Sequence, residues 1–91
     1  MSTASRLENL GRLQEKKARA IELAILIHRL RQDINQLSNP HRPLADFKLK
    51  EVSVLLGRME EASFEHTRLC KEIRELCEDL GEPLPNLDLE Q

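Results

Sequence analysis

In the second half of the chain, Ala45, Lys48, Val52, Leu55, Met59, Ala62, His66, Leu69, Ile73, Leu76 and Leu80 follow one another in unbroken alternating steps of three and four. Nine of these eleven are apolar, a seam that lasts five heptads and predicts a long amphipathic helix of coiled-coil type. The first half repeats the rhythm in Ala20, Leu23, Ile27, Leu30, Ile34 and Leu37. Upstream the pattern weakens, because its continuation falls on Lys16, Leu13, Asn9 and Arg6, with Leu7 and Leu10 out of register.

Proline and glycine set the boundaries. Residues 5–37 contain no Pro and one Gly (Gly11), and the polar stretch Ser38-Asn39-Pro40-His41-Arg42-Pro43 then breaks any helix. Residues 44–80 are again free of Pro, and Gly81 is followed by Pro83 and Pro85, a helix-stop signature. Ser5 with Glu8 three residues on has capping-box spacing, and Asp46 is a candidate cap for the second helix. The expected organisation is a helical hairpin over 1–81, with helix one at about 5–37, a turn at 38–44 and helix two at about 45–80. Residues 82–91 are expected to be a flexible tail, or else to fold back over part of the apolar surface.

A short turn makes the two helices antiparallel neighbours. With its centre near His41, Leu30 faces Val52, Ile27 faces Leu55, Leu23 faces Met59 and Ala20 faces Ala62. Charge agrees with this pairing. Residues 1–31 hold seven basic and three acidic groups, net +4, and residues 51–91 hold four basic and eleven acidic, net −7. Each rim pair is worth only a few tenths of a kcal/mol, but together they disfavour wrong pairings.

The seams do not use all of the apolar surface. Leu49, Leu56, Ser63, Cys70 and Cys77 form a second column at seven-residue spacing, and Leu23-Ala24-Ile25-Leu26-Ile27 covers more than a full turn of helix one. An isolated hairpin leaves side chains such as Ile21, Ile25, Leu26, Leu49 and Leu56 wet, and contiguous patches of this kind mark interfaces. These five are the expected interface. The expected assembly is an all-α four-helix-bundle homodimer, or docking of a helical segment of another protein.

Composition narrows the function classes. The chain has 91 residues, two Phe, no Trp and no Tyr, which is little material for a walled catalytic pocket. No apolar run approaches the roughly 20 residues that span a bilayer. The N-terminal stretch lacks a charged region followed by an apolar core. Cys70 and Cys77, seven apart on one helix, are separated by about 10 Å and cannot bridge within it. A reduced, cytoplasmic setting is expected, with no membrane partner.

The remaining chemistry is sparse. His66 and Cys70 stand four apart and, with His28, Cys77 or Glu65, would make a metal site, but CxxC, HExxH and ExxH motifs are all missing. They read instead as a polar layer fixing register and as small apolar side chains, so no metal or cofactor is expected. No Ser is spaced for a triad and no glycine-rich loop exists, so no catalytic residue is assigned and the chain is not expected to be an enzyme. Arg12, Lys16, Lys17 and Arg19 form a basic cluster on helix one, an alternative nucleic-acid face. A net charge of −2 and the lack of a stacking aromatic on that helix disfavour it. The sequence therefore points to a small non-catalytic protein–protein interaction module, an adaptor, chaperone-like or assembly factor, with a nucleic-acid-binding regulator as the alternative.

Overall fold

The computed structural model describes residues 3–41 and 43–87, apart from the side chain of Asp46. Arg42 of the basic turn, the proposed Asp46 cap and tail residues 88–91, Leu89 among them, lie outside what is described. The fold is all-helical. Helix α1 runs Thr3–Leu37 and helix α2 runs Leu49–Leu80, and the two pack against each other. Three ion pairs between the helical arms fix their direction. Arg19 meets Glu65, Lys16 meets Glu72 and Arg6 meets Glu82, so the chain numbers fall on one side as they rise on the other, and the helices are antiparallel. At 1.5 Å per residue α1 is about 52 Å long. It accounts for most of the 63 Å long axis of a molecule only 23 by 14 Å across.

Helix α1 begins at Thr3, so Ser5 sits inside its first turn and not at the cap. At the far end Ser38 N–H donates to the Ile34 carbonyl, and the Asn39 Oδ1 accepts from the His41 N–H at 2.9 Å. This is the local side-chain turn that Asn forms readily.

Helix α2 starts later than its heptads suggest, at Leu49 and not at residue 45. Leu44–Asp46 form a single 3-10 turn, closed by Phe47 N–H on the Leu44 carbonyl, and Phe47 itself is extended. Pro43, at ψ 146, directs the chain away from a helical start. Ala45 and Lys48 thus keep the spacing of the seam without belonging to the helix. The pivot of the hairpin moves from His41 toward Pro43, midway between Leu37 and Leu49. Partners shift along the helices accordingly, and Lys16 of α1 reaches Glu72 of α2.

Helix α2 stops as its glycine and prolines dictate. Gly81 adopts φ 68, a left-handed conformation that favours glycine. Glu82 N–H donates to the Cys77 carbonyl and Gly81 N–H to that of Glu78, the paired bonds of a Schellman ending.

The core is not centred on the hairpin. One connected cluster holds Leu13, Ala20, Leu23, Ala62, Leu69, Ile73, Cys77, Leu80 and Leu87, and runs from the middle of the hairpin to the open end where the helix termini meet. Toward the turn, Leu30 and Val52 are buried outside that cluster, as is Ala24 in the middle of α1. The seam of α1 therefore continues upstream through Leu13, where its pattern looked weakest. Leu87 belongs to the cluster although it lies beyond the helices. The segment 82–87 follows the fold-back that stood as the alternative to a flexible tail, and it lies against the hairpin because Leu87 finds there an apolar site that two helices alone leave open.

Candidate docking surface

Helical periodicity divides the hairpin into two flanks on either side of its seam. Arg19 and Glu65 lie on one flank, and their ion pair marks it as the polar side. Leu26 falls on this flank, where it is half-buried and packs against the core. The opposite flank carries the second apolar column of α2, with Ala24 and Ile21 on α1; Ile25 lies further round, near the back of its helix. Of the five side chains expected at an interface, Leu26 thus stands apart from Ile21, Leu49 and Leu56.

Burial along the second column changes from end to end. Leu49 and Leu56, nearest the turn, are 62% and 46% exposed, whereas Cys70 is half-buried and Cys77 is 1% exposed. On α1, Ile21 and Ile25 are 39% and 47% exposed. The cover at the open end is the C-terminal segment. Leu87 is 8% exposed, and its carbonyl accepts a hydrogen bond from His66 Nε2 at 3.2 Å. The other ring nitrogen, His66 Nδ1, lies 3.7 Å from Cys70 Sγ. Burying one leucine contributes about 1.5–3 kcal/mol, no more than the entropy of fixing two or three backbone residues at about 1–2 kcal/mol each.

The basic cluster of α1 is largely occupied by the acidic helix. Lys16 Nζ donates to Glu72 at 2.7 Å, and Arg19 donates to both carboxylate oxygens of Glu65, at 2.8 and 3.3 Å, and to Glu22 at 3.3 Å. The hydrogen bond from Arg19 holds the Glu65 carboxyl below the usual glutamate range, and that from Lys16 does the same for Glu72. Glu65 in turn raises the Arg19 guanidinium, chiefly through the same hydrogen bond. Arg12 is exposed and Lys17 half-buried. Two of the four expected nucleic-acid contacts are thus committed within the chain.

Among the described residues no three His, Cys, Asp or Glu side chains gather to hold a metal ion, and no helix is long and apolar enough to cross a membrane. Sequence reasoning placed Leu49 and Leu56 in one column and offered a fold-back of the tail over part of the apolar surface as the alternative to a flexible tail, without telling which end of the column it covers. The Leu84-Pro85-Asn86-Leu87 spacing was the available signal, too short to show what it packs on. Leu44 and Val54 near the turn and Phe64 on the back of α2 are further exposed apolar side chains that the heptad argument passed over. Comparison with known protein families, curated proteins and solved structures finds no match to this chain.

Proposed function

We propose that the chain is a small non-catalytic protein–protein interaction module that docks through the apolar flank of its hairpin, and that its simplest partner is a second copy, giving a four-helix arrangement. One observation carries this reading: the column Leu49, Leu56, Ser63, Cys70, Cys77 is covered by Leu87 at one end and left open at the other, where leucines stand exposed. The size of the molecular surface supports it. A compact 10.5 kDa monomer has an accessible surface of roughly 5,400 Å², and this chain has 6955 Å². Its radius of gyration of 17.9 Å likewise exceeds the roughly 12 Å of a compact chain of this length. Two hairpins stacked on their apolar flanks remove surface of this order, since a standard interface takes about 800 Å² from each partner.

The mechanism is the packing of helical apolar side chains into the facing hairpin, with Ile21, Leu49 and Leu56 as anchors and the surrounding charges setting orientation. Light scattering across a concentration range tests it. The wild-type mass should rise toward that of two chains, and Leu56→Glu, exposed and outside the core cluster, should abolish the rise while leaving helicity intact. An unchanged concentration dependence in Leu56→Glu rejects this flank as the site.

A further inference from the structure

Part of the docking flank is closed, and the chain's own end closes it. Resting on the docking function proposed above, we infer that residues 82–87 compete with a second copy of the chain for the flank and hold the hairpin in a weakly associating form until the segment lifts.

The argument starts from dimensions. From Leu49 to Ser63 the column runs about 21 Å, and from Leu49 to Cys77 about 42 Å, at 1.5 Å per residue. The molecule is 23 Å across at its wider section. On that width the whole flank offers on the order of 1,000 Å² in projection, the size of a standard interface, and the open half offers about half of it. A partner hairpin laid along the whole column needs the Cys70–Cys77 end, which Leu87 occupies. The occupant is a second copy because both helices bring apolar side chains to this flank. A two-fold axis can set Ile21 of one hairpin against the leucine column of the other.

The segment is built to detach. Gly81 ends the helix in a left-handed turn, and residues 82–87 form neither helix nor strand. Leu87 is its only buried residue and the His66 bond to the Leu87 carbonyl ties it to α2, while at the start of the segment the solvent-accessible Arg6–Glu82 ion pair, 3.7 Å, ties it to α1. Leu84 is 63% exposed, and a cleft of about 400 Å³ remains between the segment and the His66–Cys70–Arg74 face of α2. Cover this loosely packed yields to a partner that fills the groove better.

Sedimentation equilibrium of the full chain tests the competition, comparing wild type with Leu87→Asp and with helicity followed in parallel. Leu87→Asp should associate about tenfold or more tightly than wild type, or be the only form that associates at all. Wild type that associates as tightly as Leu87→Asp, or more tightly, overturns the competition and leaves the docking function standing. Absence of association in both forms overturns the docking function itself. If Leu87→Asp loses helicity, hydrogen exchange on wild type decides instead. Amides of Leu84, Asn86 and Leu87 that exchange faster in concentrated than in dilute protein support release on association, and unchanged or slower exchange refutes it.

Discussion

The two ends of the hairpin are made from the same heptads but are stabilised differently. At the open end, Leu13, Leu69, Ile73, Cys77, Leu80 and Leu87 form a connected core, flanked by the Lys16–Glu72 ion pair, with Arg19–Glu65 nearer the middle. At the turn end, Leu30 and Val52 are buried outside that cluster, and Leu44, Leu49, Val54 and Leu56 stand exposed around them. The difference lies in a third element. Two helices bury one stripe each, and only where the C-terminal segment adds a side chain does the flanking column also close. The flanking column is thus covered by the chain itself at the open end and left exposed at the turn end.

Truncation separates the two ends most sharply. Ile73→Ala should destabilise the fold by about 2–5 kcal/mol, whereas Leu56→Ala should lie within about 0.5 kcal/mol in dilute protein, both read from urea unfolding followed by circular dichroism. Comparable losses at the two sites would remove the distinction between a finished and an unfinished end. A smaller effect of opposite sign is expected from Gly57→Ala. Gly57 lies exposed within α2, and nothing lies within 4 Å of the position its Cβ would take. Helix propensity alone should then stabilise the chain by about 0.5–1 kcal/mol in the same assay.

Acid should act on the paired carboxylates, and it gives the smallest effect. Glu65 and Glu72 are held below the usual glutamate range by Arg19 and Lys16, so their folded forms bind protons less readily than their unfolded forms. Their contribution is complete at neutral pH and is lost as pH falls from the ordinary glutamate range through their lowered folded values. Arg19→Gln and Lys16→Met should flatten the acid limb of stability against pH, and added salt should shrink the difference because both pairs are solvent-accessible. An unchanged acid limb in the double variant would show that these pairs add nothing to the join between the helices.

The sequence by itself determined that there are two helices, where the first ends, where the second stops and which stripe of each faces the other. All of these follow from short-range rules. Proline removes a backbone donor, Gly81 accepts a left-handed turn, and a step of three or four residues returns a side chain to the same face. The tertiary structure alone decided the rest. The 3-10 turn at Leu44–Asp46 delays α2 although the heptad spacing runs straight through it, because Pro43 turns the backbone out of helical geometry and leaves the seam positions Ala45 and Lys48 exposed, so spacing alone shows neither burial nor helix. The seven-residue column of α2 likewise looks uniform in sequence. Its division into a covered end and an open end depends on where Leu87 comes to rest after the chain reverses at Gly81. That long-range contact is chosen by the apolar space left between two packed helices, which no local pattern encodes.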